Sequence, residues 1–181
     1  MRNGDGKLSS ILYGTREHVG ASRALGEFRS GRPVIIAGSN ETLLCLPVEG
    51  LDQDRLAAFR ALAAPMAPRL VLTSRRARSL GIEASEPVAI ALSEDVDSRT
   101  VLALVAENKP RFEFHPEPVG AAAVAAIDLV KFAQVLPAVL VADVDPASAE
   151  ASDPRIITVD AEAVSRSHEE GMRSLAIAGE A

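Results

Sequence analysis

Between Gly120 and Val144 the chain is almost free of polar positions, reading GAAAVAAIDLVKFAQVLPAVLVADV. Asp128, Lys131 and Gln134 step by threes and leave one narrow wet stripe on a helix that is otherwise apolar all round. A helix of that kind is covered by its own protein on several sides. Pro137 stops it, and Ala138–Val144 continues as an apolar run, the pattern of a strand covered on both faces. This helix–strand unit is expected at the centre of the core.

The remaining periodicities give an alternation of helices and strands. Ala21, Leu25 and Phe28 recur at helical spacing, with Thr15 as N-cap and Gly31 as stop, predicting a helix from about Arg16 to Ser30. Pro33–Ala37 and Thr42–Leu46 read as strands, and Gly38-Ser39-Asn40 between them as a turn, so an antiparallel hairpin is expected. A helix opens at Leu51-Asp52, sets Leu56, Phe59 and Leu62 on one face, and ends at Pro65. Leu70–Thr73 is a strand, Ser74 the cap of a short basic helix Arg75–Leu80, Val88–Leu92 a strand and Ser98–Ala106 a helix. Phe112 and Phe114 alternate with charged residues, as in an edge strand. After the loop Asp145–Asp153 come a strand at Ile156–Val159 and a last helix capped by Asp160, with Glu162 near its positive end. The class is α/β, in the mixed α+β sense, as a single domain. Residues 1–14 are read as a flexible lead, 15–165 as the domain, and 166–181 as a C-terminal helix and linker.

Composition narrows the class. The 181 residues suffice for a real core, and with 3% aromatics and no Trp that core must be aliphatic. A net charge of −6 argues against nucleic acid as the main partner. No apolar run reaches the roughly 20 residues of a membrane span, and no signal peptide is recognisable, so a soluble cytoplasmic protein is expected. The lone Cys45 lies in an apolar run and reads as a small buried hydrophobe.

Candidate chemistry is sparse. There is no GxGxxG, no GxxxxGK[ST] and no GxSxG, and His18, His115 and His168 are not at metal-ligand spacing. Thr73, Arg75, Arg76 and Arg78 surround a strand-to-helix junction, where cations and free N–H groups suit a phosphate; solvated helix residues are the alternative. Glu94, Asp95 and Asp97 form either a hard-cation cluster or a solvated loop. Asp143 ends a buried strand, where α/β proteins often place functional groups.

Three stretches carry a family resemblance. ALGEFRSGRPVII (Ala24–Ile36), residues 56–81 and AAIDLVKFAQVLPAVLVAD (residues 125–143) resemble the 3,4-dihydroxy-2-butanone-4-phosphate synthases of riboflavin biosynthesis. The resemblance implies a layered sandwich of that family's fold, and it locates the family's functional positions. The long acidic loop that follows the family's first strand is shortened here to Ala37–Thr42, with Glu41 its one acid. The family's Thr-Thr-Gly-Ile-Ser-type loop has no match near Leu92–Val101. The Gly-His-Thr-Glu stretch falls at Ala121–Val124, so the metal-binding His position is Ala122. The late acidic residue falls at Asp143, and Thr73 keeps the earlier strand's Thr.

The family reaction converts ribulose 5-phosphate with loss of formate and needs Mg²⁺ and acid–base groups. The expectation is a non-catalytic synthase-like domain, as found before GTP cyclohydrolase II in some bacterial proteins, with a scaffolding, dimerising or regulatory role. Glu41 and Asp143 are then candidate relics and not a working pair. No cofactor is expected in this segment; Mg²⁺ would serve only a residual synthase, and zinc only a downstream cyclohydrolase domain. A homodimer and a linked or interacting GTP cyclohydrolase II domain are the expected partners. The rivals are a sugar-phosphate enzyme using Asp143, Glu41 and the Arg75/Arg76/Arg78 cations, and a standalone small-molecule- or nucleic-acid-binding regulator.

Overall fold

A computed structural model describes residues 14–107, 115–145, 147 and 153–167. Its elements are α1 (Arg16–Arg29), β1 (Val34–Ala37), β2 (Thr42–Pro47), α2 (Gln53–Ala63), β3 (Arg69–Leu72), α3 (Ser74–Ser79), β4 (Val88–Ala91), α4 (Ser98–Ala106), β5 (Pro116–Pro118), α5 (Ala121–Ala133), β6 (Ala138–Asp143) and β7 (Ile157–Asp160), followed by helical residues 161–167, here α6. No helix among the described residues is long and apolar enough to cross a membrane.

The seven strands form one sheet in the order β5-β4-β3-β6-β2-β1-β7. Every pairing is antiparallel except β1 with β7. The fold is therefore mixed α+β. Because side chains alternate across a strand, the central strands feed two separate cores. Leu44, Leu46, Leu70, Leu72 and Leu140 point into a core shared with α2, α3 and α4. Leu43, Cys45, Val71, Val139 and Val141 point into one shared with α1, α5 and α6. This explains why β2 and β6 read as unbroken apolar runs: each face is under helices.

Helix α5 is sheathed as its composition suggests. Eight of its residues are buried, including Asp128. The expected wet stripe thus begins one turn later: Asp128 is tucked in and accepts a bond from the Lys131 ammonium at 2.9 Å, and the exposed side is left to Lys131 and Gln134. Gln134 takes a left-handed φ of 57° as the helix ends, a strained conformation for a residue with a Cβ.

Thr15 caps α1 and Gly31, at φ 70°, follows its end, as expected. Two local readings are corrected. The cap of α3 is Thr73, whose hydroxyl accepts from Arg76 N–H at 3.1 Å, and Ser74 is its first helical residue. On α2 the buried positions are Leu56, Phe59 and Ala63, whereas Leu62 is 38% exposed. The three-residue steps from 56 to 59 to 62 drift around a 3.6-residue helix, so the third residue leaves the buried stripe. Phe112, Phe114 and the lead up to residue 13 lie outside the described residues. The edge beside β4 is the short, exposed, proline-bearing β5, a composition that blunts further pairing.

Cys45 is fully buried, and burial pushes its thiol well above the ordinary range. Above about pH 8.5 the unfolded chain sheds a proton that the folded chain retains, so this group lowers stability as pH rises. Urea unfolding at about pH 8 and about pH 10 should show a larger alkaline loss in the wild type than in Cys45→Ala. A thiol reagent should label native Cys45 only as fast as the fold opens.

Candidate functional site

The start of α5 meets the turn between β1 and β2 at the C-terminal end of β6. A helix N-terminus leaves several N–H groups without intrahelical partners. The N-cap here is Gly120, which has no side chain to offer. Glu41, 81 positions earlier, supplies the acceptor instead: its Oε1 takes a bond from Ala122 N–H at 2.8 Å. The negative charge also suits the positive end of the helix dipole. A methyl group on Gly120 would overlap the Glu41 carboxylate, so glycine is what lets the carboxylate lie there. The turn is held by Gly38 N–H donating to Glu41 carbonyl at 2.8 Å. A Cβ on Gly38 would stand 3.5 Å from both the nitrogen and the Cβ of Ala122, and Ala122 has no exposed surface. The turn is therefore seated directly on Ala122.

Asp143 lies at the same end and on the same face. It is the register partner of Leu43, two residues beyond Glu41. The neighbouring strand sets Arg69 opposite Val141, and Arg69 Nη2 donates to Asp143 Oδ2 at 2.7 Å. Both side chains are part-exposed, 26% and 46%, so the pair contributes at most about 1 kcal/mol. Its chemical effect is larger than its energetic one: a fixed cation stands on the carboxylate. Arg69 was not a sequence candidate. A charged residue opening an apolar strand was visible, but its partner depends on the β3–β6 register.

The phosphate candidates sit elsewhere. Thr73 N–H donates to Pro137 carbonyl, and Leu72 pairs with Ala138, at the start of β6. The length of a six-residue strand, roughly 17–20 Å, separates that end from Asp143. Helix α3 also packs into the core on the opposite face, through Ala77. Arg76 is buried and spent on the end of α4: Nε donates to Leu104 carbonyl at 2.8 Å, Nη2 to Glu107 carbonyl and, at 3.4 Å, to Ala103 carbonyl, and Nη1 to Ser79 Oγ at 3.0 Å. Carbonyls at a helix C-terminus are short of intrahelical donors, although that of Ala103 also accepts from Glu107 N–H at 2.9 Å. Desolvation lowers the pKa of Arg76, yet a guanidinium stays charged at any ordinary pH. Arg78 donates to Ala84 carbonyl at 2.7 Å, and Arg75 is exposed. The structure brings Glu41 and Asp143 to one end and the arginines to the other.

The remaining candidates have local roles. Asp97 caps α4 through Thr100 N–H at 2.7 Å, and that hydroxyl residue's bonds hold its carboxyl below the usual range. Asp95 is lowered likewise, mainly by Ser93. His18 lies on α1, His115 is exposed, and His168 lies outside the described residues. An open cleft of about 610 Å³ flanks the α5 start, lined in part by Gly38, Ser39, Ala121, Asp160 and Arg166. Asp160 there accepts from its own helix, from Glu162 and Ala163 N–H at 2.9 and 3.2 Å.

A magnesium ion needs several oxygen donors in near-octahedral array. The residues present do not fit that demand. Glu41 is engaged by a backbone N–H, Asp143 by a guanidinium that repels a cation, and position 122 has no donor atom. No group of three or more His, Cys, Asp or Glu side chains is placed to hold a metal among the described residues.

No family model and no curated protein matches the chain. Solved structures do. A 3,4-dihydroxy-2-butanone 4-phosphate synthase in cation-free form aligns with TM-score 0.63 at 16% identity, over 82% of this chain and 96% of that one. A 3,4-dihydroxy-2-butanone 4-phosphate synthase in complex with two magnesium ions aligns at 0.59 and 14%, over 78% and 93%. RibBX, a two-domain 3,4-dihydroxy-2-butanone 4-phosphate synthase from A. baumannii, aligns at 0.59 and 13%, over 80% of this chain; the chain spans 56% of RibBX's length. The chain thus has a 3,4-dihydroxy-2-butanone 4-phosphate synthase-like fold.

The cap at the α5 start is open to a thermodynamic check. Glu41→Ala should cost about 0.5–2 kcal/mol in chemical denaturation, the range for a lost N-cap. Gly120→Ala should also destabilise the wild type, but less in the Glu41→Ala background, giving a coupling of about 0.5 kcal/mol or more. Ala122→His should cost about 1–3 kcal/mol by overpacking against the Gly38 turn, and calorimetry should show no gain in Mg²⁺ binding.

Proposed function

We propose that this chain is a non-catalytic domain on the synthase fold, acting as a structural or regulatory part of a riboflavin-biosynthesis protein of the GTP cyclohydrolase II type. One observation carries the reading. The carboxylate nearest the old metal position caps a helix over a buried alanine, and the second carboxylate of that end is held by Arg69. Moving protons on a sugar phosphate needs a group free to give and take them within reach of the substrate. Glu41 and Asp143 are both occupied, one by the Ala122 N–H and the other by the Arg69 guanidinium. Releasing Glu41 would uncap α5, so any catalytic use of that carboxylate competes with the fold.

The attached or interacting cyclohydrolase domain belongs to this reading as its partner. Support comes from RibBX, in which a synthase of this fold is described as a two-domain protein. The relocated sugar-phosphate site has no such support, because its cations and carboxylates stand at opposite ends of β6.

Formate release from ribulose 5-phosphate in the presence of Mg²⁺ tests the catalytic half of the reading. The expected result is the rate of the protein-free control; turnover on the order of 1 per second, an ordinary enzymatic value, would overturn it. Thermal melts with ribulose 5-phosphate, GTP, riboflavin and Mg²⁺ separately report whether any ligand selects the folded state, since such a ligand raises Tm. No rise is expected with ribulose 5-phosphate or Mg²⁺.

A further inference from the structure

The sheet has two outer edges, and the sequence treats them differently. At one, the exposed run Pro116-Glu117-Pro118 of β5 carries prolines, which have no N–H to offer another strand. At the other, β7 pairs with β1 alone among the described residues, so its outer row of N–H and C=O groups has no ladder partner. Nothing in β7 blunts that row. Ile157, Thr158 and Val159 are β-branched residues that favour an extended backbone, and the strand holds no proline or lysine. An open cleft of about 760 Å³ runs along it, lined by all of β7 and by residues of α1 and α6, with Val19, Gly20 and Ala163 as its apolar wall.

The ionisable groups of the cleft are Arg16, Arg23, Arg166, Glu17, Asp160 and Glu162. Their formal charges cancel, but their settings differ. All three acids stand at helix starts: Glu17 in the first turn of α1, Asp160 as the cap of α6 and Glu162 just inside it. There the positive end of a helix dipole offsets a carboxylate. Hydrogen bonds from its own backbone and from Thr15, and then the charges of Arg166 and Arg16, hold Glu17 below the usual carboxylate range. One carboxylate shared by two guanidiniums leaves that rim positive. Arg16, Arg23 and Arg166 are exposed and make no hydrogen bond or ion pair among the described residues. Arg55, Arg60, Arg69 and Arg76, by contrast, are each spent on an acceptor within the fold.

We propose that the outer edge of β7 binds an extended acidic segment of a partner protein, which adds to the sheet as a further strand. Main-chain hydrogen bonds to β7 supply the affinity, and alternate side chains supply the selectivity. Every second residue of the incoming strand turns toward α1 and α6. Acidic residues at those positions meet Arg23 and the neighbouring Arg16 and Arg166, and an apolar residue between them meets the wall of Val19 and Ala163. Arg16 and Arg23 stand about 10 Å apart along α1. Residues four positions apart on one face of a strand are about 13 Å apart, a difference that long side chains span. The net charge of −6 makes this edge an exception, since an acidic segment is repelled by most of the surface and held here. The inference stands whether or not the chain is catalytic.

Fluorescence anisotropy of a labelled, end-blocked peptide, Thr-Glu-Thr-Val-Thr-Glu-Thr, titrated with the full 181-residue chain to about 500 µM, tests it. Saturable binding is expected. A strand presents its N–H groups to one side and the other by turns. N-methylation of alternate peptide residues should therefore abolish binding on the edge that meets β7 and spare it on the opposite edge. Arg23→Ser with Arg166→Ser should weaken binding about fivefold, the effect of two exposed charge pairs, and so should Gln in place of both Glu residues of the peptide. Arg99→Ser, on α4, should bind like the wild type, and because all three positions are exposed the far-ultraviolet spectra should not change. Absence of saturable binding would overturn the proposal; it is the outcome if residues 1–13 of this chain or the β7 edge of a second copy already fill the site. Binding kept under both N-methylation patterns, lost under both, or indifferent to the double substitution would overturn it as well.

Discussion

A helix buried on nearly every side cannot leave its first N–H groups to water. That constraint, applied to α5, governs the end of the molecule where Glu41 and Asp143 stand. Gly120 cannot cap the helix, so the acceptor must come from another part of the chain. Glu41 meets the need, and in doing so fixes the β1–β2 turn against Ala122 and ties the hairpin to the helix across the core. Burial, capping and the absence of a side chain at Gly120 form one requirement with three parts. Any change to one is felt by the others.

The same need decides between two uses of a carboxylate. A carboxylate that caps a helix must stay in place; one that binds metal or shuttles protons must present its oxygens to something that comes and goes. At the end of β6 both carboxylates are occupied, one by a backbone amide and one by Arg69. The fold survives in this state because its stability is drawn from the two aliphatic cores on either side of the sheet, which do not depend on what happens at the strand ends.

Much of the architecture was legible before any coordinates. The apolar runs of β2 and β6, the caps at Thr15 and Asp160, and the glycine stop at Gly31 are local chemistry, and they fall where the pattern puts them. What escaped was set by relations between distant segments. Whether Arg76 meets a phosphate or the carbonyls at the end of α4 depends on how α3 crosses α4, which no spacing records. Whether Asp143 is free depends on a register that brings Arg69 to it. Leu62 misled for a different reason: leucine on a helix stripe looks buried, and only packing shows that Ala63 took the inward place. Sequence spacing names candidate positions but not their occupants, because hydrogen-bond partners are a property of the assembled fold.

One pairing has a kinetic meaning. β7 is the last strand among the described residues, and it joins the sheet in parallel beside β1, near the chain's beginning, with α1 lying over both. Thr15 and Ser167 line the same shallow cleft, so the two extremes of the described domain are neighbours. The join closes a loop of nearly the whole domain, and the entropy of closing a loop grows with its length. The hairpin of β1 and β2 needs only a short turn, whereas β7 must wait for the rest of the chain to be positioned. That edge is accordingly the seam of the domain: the last part to zip on folding and the natural first part to part when the domain breathes.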